Sequence, residues 1–286
     1  MAVPSPPAHV RSARQVERDA WRRSRARRRT LIAAVSTVVV LVGTAWLVVT
    51  SPGWERVRDT FFDLDEARAV APDIIRAFWM NIKLFTVAEV AILVLALGVA
   101  VIRVIPVAGL APLKLVAVVY TDVARGTPTL LVVFLVGFGV PALRLQGVPI
   151  DLFWLGVIAL TFSYGGYVAE VLRAGIASIH PSQWASGRSL GLSYGQTFRH
   201  VVLPQAVRRV MPPLINDFVS LQKDTALVAL IGLVEALRTA QINSSRDFDY
   251  TPYVVAALGF IALTVPLARA TDHLALRAVR REQGST

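Results

Sequence analysis

A few stretches of this chain that are otherwise apolar carry charged or amide side chains. A charge at bilayer depth is costly, so such groups usually face a bundle interior or a water-filled path. One interpretation is that they line a path for a polar solute, and the other is that they form structural ion pairs near a membrane face. The ion pair is favoured for Glu170 and Arg173, whereas both interpretations stay open for the polar residues between Asn216 and Thr225. The candidates are Glu170 and Arg173, one helical turn apart, and then Asn216, Asp217, Lys223, Asp224 and Thr225.

The chain encodes no recognisable nucleotide, thiol or metal chemistry. A P-loop needs Gly before its Lys and Ser or Thr after it. The only lysines are Lys83, Lys114 and Lys223, which follow Ile, Leu and Gln. Cysteine is absent, and the four His are scattered without the spacing of metal ligands. We therefore expect no cofactor in this chain and no enzymatic activity of its own.

Long apolar helices must position the charged groups. The chain is 55% hydrophobic, with a mean hydropathy of +0.56. A helix needs about 20 residues to cross a bilayer. The sequence therefore predicts an all-α integral membrane protein with about six transmembrane helices. The predicted spans are Leu31–Thr50, about Trp79–Ile102, Arg125–Arg144 with an apolar approach from Leu115, Asp151–Glu170, about Pro213–Val234, and Asp249–Arg269.

Basic residues predict which side of the membrane each end occupies. Nine Arg lie in the first thirty residues, and the segment 173–209 carries five Arg and no acid. Cytoplasmic loops are enriched in Lys and Arg, so both segments and both termini are predicted to be cytoplasmic. The Arg-rich start is interpreted as a contact for anionic lipid rather than for nucleic acid, because no nucleic-acid motif accompanies it.

The same reasoning divides the chain into five regions. Residues 1–30 form a basic tail predicted to be disordered, and 31–50 form an extra N-terminal transmembrane helix. Residues 51–78 are predicted to be an extracytoplasmic loop, since they hold six acids against four Arg. Residues 79–270 form the main transmembrane domain, with a cytoplasmic helical loop at about 180–210, and 271–286 form a cytoplasmic tail.

The loop between Ser182 and Pro213 predicts a short helix, a turn and a second short amphipathic helix. Ser193 followed by Gln196 is a capping-box pattern, which starts a helix. Gly191 just before it permits a left-handed turn, and Pro204 is expected to stop or bend the second helix. An amphipathic element of this kind could lie on lipid or fill a groove on another protein, and the residue pattern alone leaves both open.

The same loop resembles the EAA loop of ABC-importer permeases, in which E-A-A is followed by G and then by I-x-L-P. Gly191 occupies the glycine position, and Val201, Leu203 and Pro204 the last group, while Tyr194 and Phe198 lie between them. Flanking segments are similar to the polar amino-acid permeases, the family of histidine, glutamine, glutamate, arginine and opine importers. They are Arg125-Gly126-Thr127-Pro128, Ala169-Glu170, Gln183-Trp184, Leu203-Pro204-Gln205-Ala206, Pro212-Pro213, Asn216 and Lys223-Asp224-Thr225.

One departure from that pattern is clear, because Ala185, Ser186 and Gly187 stand where the family has Glu-Ala-Ala. A Glu at Ala185 would have closed a capping box with Ser182, so its absence is expected to loosen the first short helix. The missing acid also leads to the hypothesis that this chain pairs with a second, different permease subunit that keeps it; the alternative is a homodimer in which Arg188 or Ser186 makes a substitute contact.

The resemblance implies a permease subunit in the cell membrane that imports a polar amino acid, of the glutamate/glutamine or the basic class. ATP and Mg would then bind to separate ATPase subunits that dock at the loop, and an extracytoplasmic solute-binding protein would deliver the substrate. The alternative is a secondary transporter or channel that uses its intramembrane charges without an ATPase.

Overall fold

The computed structural model describes residues 13–105, 107–148 and 150–283, and these residues form helices and connecting turns without a β-strand. The chain divides into two compact units, one that ends at Asp59 and one that begins at Thr60. By length and composition, four helices among these residues could each cross a membrane, and the number rises to six if each of two bent helix pairs is one span. The all-α membrane fold with about six spans is confirmed.

The first unit is dominated by α1, Ala13–Val49. Its part from Arg28 to Val49 is long and apolar enough to span a membrane, as predicted for Leu31–Thr50. None of the residues in its most apolar stretch is buried within the protein. The prediction of disorder over residues 1–30 is wrong from Ala13 onwards, because the Arg-rich segment continues the same helix; Arg and Ala are good helix formers. Residues 1–12 lie outside the described part.

The second long helix starts earlier than the sequence predicted. After α2, Trp54–Phe61, helix α3 runs from Leu64 to Val104. Asp63 caps α3 by accepting hydrogen bonds from the amides of Asp65 and Glu66. The prediction of a loop over residues 51–78 is therefore wrong for residues 64–78. The acidic residues of this segment lie at the start of a long helix, not in a loop that precedes it. At 1.5 Å per residue, α3 is about 60 Å long and exceeds the bilayer core.

The predicted third span is broken into pieces. Helix α4, Ala111–Gly126, and the segment Thr129–Ala142 meet at an angle of 105°. Thr127 between them is extended (φ −104°, ψ 128°) because a residue that precedes proline avoids the helical region. The apolar approach from Leu115 therefore does not run straight into the span predicted between Arg125 and Arg144; the helix bends at Thr127, near the start of that span. The second piece comprises α5 Thr129–Phe134, a π-helical turn Leu135–Gly139 and α6 Val140–Ala142.

Helix α7, Leu152–Ala177, is the element against which α3, α4 and the later helix α10 (Leu203–Asp224) pack. Glycines on α7 allow the close approach: a Cβ at Gly166 would lie 2.5 Å from Cβ of Ala124, and one at Gly156 would lie 2.7 Å from Val228. The large buried side chains of this core include Leu84, Ile92, Val133, Leu155, Leu160, Leu221 and Val228.

The C-terminal half holds the predicted loop and the last spans. Its elements are α8 Pro181–Ser189, α9 Tyr194–Thr197, a π-helical turn Phe198–Val202, α10 Leu203–Asp224, a 3₁₀ helix Thr225–Ile231, α11 Ala236–Asp247 and α12 Thr251–Gln283.

Two predictions about prolines in this half are wrong. Pro204 does not stop the second short helix, because helical structure continues through the π-helical turn Phe198–Val202 just before it into α10; an irregular turn of this kind is a usual way for a helix to accommodate a proline. The helix of the fifth span does not begin near Pro213, because Pro213 lies inside α10. The π-helical turn at Phe198–Val202 joins α9 to α10, so helical structure runs from Tyr194 to Ile231.

Candidate transport path and coupling loop

The loop between α7 and α10 consists of two short helices joined at Gly191. Gly191 has φ +79°, a left-handed conformation that favours glycine, as the sequence predicted. The capping box is also confirmed: the Ser193 amide donates to Oε1 of Gln196 at 2.8 Å, and the Gln196 amide donates to Oγ of Ser193 at 3.3 Å. The turn between the helices is therefore fixed by backbone conformation and by a cap.

The first short helix is capped by a different residue than expected. Its cap is His180, whose Nδ1 accepts a hydrogen bond from the Ser182 amide at 3.2 Å, and Pro181 begins the helix. Ser182 is therefore inside α8, and the idea that a Glu at Ala185 would close a capping box with it is wrong. Ala185 and Ser186 lie on the exposed side of α8, whereas Gly187 is buried.

Aromatic stacking and one close contact hold the two short helices together. The Trp184 ring stacks on Tyr194 (centroids 4.8 Å apart, 22°) and on Phe198 (6.1 Å, 24°). Gly187 faces Thr197 so closely that a Cβ would lie 2.5 Å from its Cγ2. The loop thus forms one unit, called here the coupling unit (residues 180–204).

The coupling unit is anchored on one side and exposed on the other. Val202 is fully buried with Ile179 and Ala206, which fixes the unit to the ends of α7 and α10. Val201 is half-buried, and Leu203 and Pro204 are exposed. Leu190, beside the turn, is 80% exposed, and Tyr194 is 49% exposed. An apolar tip on a rigid helical pair is suited to filling a groove on a partner.

Glu170 lies in an ion network rather than alone. Its Oε2 accepts from Nη1 of Arg103 at 2.7 Å and its Oε1 pairs with Arg173, one turn away. Arg103 also donates to Oγ1 of Thr121 at 3.0 Å. The network ties α3, α4 and α7 together, and it matches the favoured interpretation of Glu170 and Arg173 as an ion pair. The participation of Arg103 was missed, because it lies 67 positions earlier in the chain.

The polar residues of α10 separate into different environments. Asp224 accepts a hydrogen bond from the hydroxyl of Tyr164 on α7 at 2.8 Å. Lys223 and Asn216 are exposed, and no ion pair between Lys223 and Asp224 occurs among the described residues, so the pairing considered for them is wrong. Asp217 has a buried Oδ2 that accepts no hydrogen bond from the described part of the chain.

Thr225 belongs to a buried polar cluster that the sequence did not reveal. Nδ2 of Asn81 on α3 donates to Oγ1 of Thr225 at 3.1 Å and to Oε2 of Glu235 at 2.7 Å. Glu235 is fully buried and caps α11 by accepting from the amides of Leu237 and Arg238.

A second contact of Asn81 fixes the place where the helical segment Tyr194–Ile231 bends into α11. Oδ1 of Asn81 accepts from the Ala236 amide at 3.1 Å. Asn81 is therefore hydrogen-bonded to both the N-cap residue and the first residue of α11. Gly232, in the break before it, has φ +103°. The cluster pins the break between the 3₁₀ helix and α11 to the middle of α3.

Taken together, these features define a helical integral membrane protein with broken spans and a rigid, partly exposed helical loop. The family described as "binding-protein-dependent transport system inner membrane component" matches residues 107–280. The chain belongs to this family.

Amino-acid permeases are among its relatives. It is 34% identical to the arginine transport system permease protein ArtQ of Bacillus subtilis (strain 168), over 68% of this chain and 88% of the relative. It is 32% identical to the glutamate transport system permease protein GluC of Corynebacterium glutamicum, over 73% of this chain and 95% of the relative.

Solved structures agree with this placement. The crystal structure of an amino acid ABC transporter with histidines has a TM-score of 0.69 to this chain at 31% identity, and it covers 75% of this chain and 98% of that one. An inward-facing MetNI methionine ABC transporter has a TM-score of 0.58 at 18% identity, covering 72% and 95%, and it supports the fold alone.

Proposed function

We propose that this chain is the membrane-spanning permease subunit of an ATP-driven amino-acid importer. The observation that carries the proposal is the coupling unit, which presents an exposed apolar tip at the position of the EAA loop. The relatives support the amino-acid substrate, because their names include arginine and glutamate permeases. ATP and Mg would bind to a separate ATPase subunit, and the tip around Leu190 would enter a groove on it.

Cross-linking tests this docking directly. The chain contains no Cys, so Leu190→Cys introduces a single thiol at an 80% exposed position. In the assembled complex, a thiol-reactive photo-cross-linker at this position is expected to capture the ATPase subunit. Arg68→Cys, on an exposed turn of α3, is the matched control and is expected to capture no ATPase. Equal capture from both positions, or none from Leu190→Cys, would contradict the docking.

Membrane orientation is part of the same proposal. Docking to a cytoplasmic ATPase requires the coupling unit, and with it both termini, to face the cytoplasm. The Arg-rich segments at 11–29 and 173–209 support this orientation. A reporter fused after Ser51 is expected outside and one fused after Arg281 inside; a C-terminal reporter found outside would remove one span.

For the substrate, we infer an amino acid with a cationic side chain rather than an acidic one. Arg103 and Arg173 are both engaged by Glu170, and Lys223 is exposed. The acids of α10, Asp217 and Asp224, have no ion-pair partner within the described residues, although Asp224 accepts from Tyr164. An ammonium or guanidinium group would supply the missing charge and donor.

A charge-removing variant tests this inference. In proteoliposomes that hold the complete transporter, Asp217→Asn is expected to reduce uptake of labelled arginine, while Asp122→Asn, an exposed acid of α4, is not. Preferred uptake of glutamate, or arginine uptake that is the same in Asp217→Asn, would contradict the inferred substrate class.

The second permease subunit is a further part of the proposal. Ala185 lies on the exposed side of α8, so this chain presents a methyl group where the resembled family has a carboxylate. A heterodimer would keep that carboxylate on the other subunit. Purification through a tag on this chain alone is expected to recover a second, different permease; an active complex with only this permease would rule the heterodimer out.

A further inference from the structure

A groove of about 440 Å³ lies between α3 and α11, apart from the coupling unit and from the acids of α10. Its walls come from one face of each helix. Arg76 and Arg246 are among the residues that line it, and both are exposed. Trp79, Val234 and Ile242 line the rest with large exposed apolar surfaces. The groove therefore combines two cationic side chains with a large apolar wall.

The order of these residues along the two helices gives the groove a direction. Along α3, Arg76 precedes Trp79 by about one turn, and Trp79 begins the apolar run that crosses the membrane. Along α11 the order is reversed, from Val234 just before the helix to Arg246 near its end. Both arginines therefore lie toward the start of α3 and the end of α11, at the level where the apolar run begins, and Trp79 and Val234 lie further along that run. Trp at this level is typical of the membrane interface.

We propose that this groove binds a phospholipid with an anionic headgroup. The phosphate would lie between Arg76 and Arg246, and one acyl chain would follow Trp79 and Val234 into the membrane. Among the lining residues, two guanidinium groups accompany one carboxylate, that of Asp73, which already pairs with Arg76 at 3.2 Å. The excess positive charge favours phosphatidylglycerol over phosphatidylcholine, whose choline would add a third cation.

The remaining contacts of the two arginines leave donors for a phosphate. Arg246 uses Nη1 to reach Oδ1 of Asn243 at 3.3 Å, and Arg76 uses Nη1 to reach Asp73. A guanidinium carries five N–H donors, so each residue keeps several. Arginine pairs well with phosphate oxygens because two of its donors are parallel.

The test compares lipid binding by the full-length chain in detergent and in nanodiscs. Native mass spectrometry counts bound phosphatidylglycerol against phosphatidylcholine at equal concentration. The Arg76→Gln and Arg246→Gln variants are each expected to weaken the preference for phosphatidylglycerol by about fivefold, since one basic residue near a charged surface contributes about 1 kcal/mol. Arg68→Gln is the matched control, because Arg68 pairs with Asp65 three residues before it, as Arg76 does with Asp73.

The apolar part of the site needs a separate arm. Glycerol phosphate, which has the headgroup chemistry but no acyl chains, is expected to compete weakly, and Trp79→Ala is expected to reduce lipid retention without changing the headgroup preference. Competition by glycerol phosphate equal to that of the lipid would mean a phosphate site rather than a lipid site. A preference that falls as much in Arg68→Gln as in Arg76→Gln would overturn the proposal.

A photo-cross-linker placed at Ile242 in the assembled transporter identifies the occupant directly. Capture of lipid is the expected result, whereas capture of a second permease chain or of a binding protein would replace lipid as the occupant. These results do not depend on the direction or substrate of transport, so this proposal can fail while the proposed function stands.

Discussion

Removal of the Glu235 carboxylate is expected to destabilise the break before α11. Three donors converge on it: Nδ2 of Asn81 at 2.7 Å, and the amides of Leu237 at 3.0 Å and Arg238 at 2.8 Å. Loss of a helix N-cap costs about 1 kcal/mol. A buried donor left without an acceptor costs about 1–3 kcal/mol. For Glu235→Ala we therefore expect a loss of about 2–4 kcal/mol in the free energy of unfolding.

A second N-cap in the same chain separates the capping effect from burial. Asp151 caps α7 by accepting from the amides of Phe153 and Trp154, but it is exposed. Asp151→Ala is expected to cost about 1 kcal/mol. Glu235→Gln keeps one acceptor oxygen, so its stability loss is expected to lie between those of Asp151→Ala and Glu235→Ala. The measurement is denaturant titration of the purified chain in mixed micelles. If Glu235→Ala costs no more than Asp151→Ala, the buried cluster does not hold the break.

Three other substitutions test the coupling unit and the ion network. Gly191→Val is expected to cost about 1–2 kcal/mol of stability, because the backbone at Gly191 is left-handed. It is also expected to lower uptake and stimulated ATPase activity together. Gly195→Val is the control, since open space surrounds the Cβ position at both glycines and only Gly191 has a positive φ. Gly187→Val is expected to separate α8 from Thr197 and to abolish coupling while the protein still reaches the membrane; unchanged ATPase stimulation would contradict the close packing. Glu170→Gln leaves two arginines without their carboxylate, so we expect lower thermal stability, and an unchanged melting temperature would show that the network adds nothing.

Local sequence patterns predicted the coupling unit well. The capping box at Ser193 and Gln196 and the left-handed turn at Gly191 depend on a few neighbouring residues, so the sequence contains the whole signal. The cap of α8 was misplaced for the same local reason: Ser182 is a common cap type, whereas His180 is not, and the choice between them depends on Pro181.

Contacts between distant parts of the chain could not be predicted. Asn81 and Glu235 are 154 positions apart, and each looks unremarkable in its own segment. The same holds for Arg103 and Glu170. Breaks inside spans were also missed, because the apolar pattern of a straight helix and of a bent one is the same. The break at Thr127 is an example. A Pro preceded by a small polar residue within an apolar run is the signal that could have indicated that break.

Uptake into proteoliposomes is the most direct test of the central claim that this chain is the permease of an ATP-driven importer. The complete transporter, with its ATPase and binding protein, is reconstituted and supplied with labelled arginine. We predict uptake that requires hydrolysable ATP and stops when a non-hydrolysable analogue replaces it. Uptake by this chain alone, driven by an ion gradient and indifferent to ATP, would contradict the claim and favour a secondary transporter.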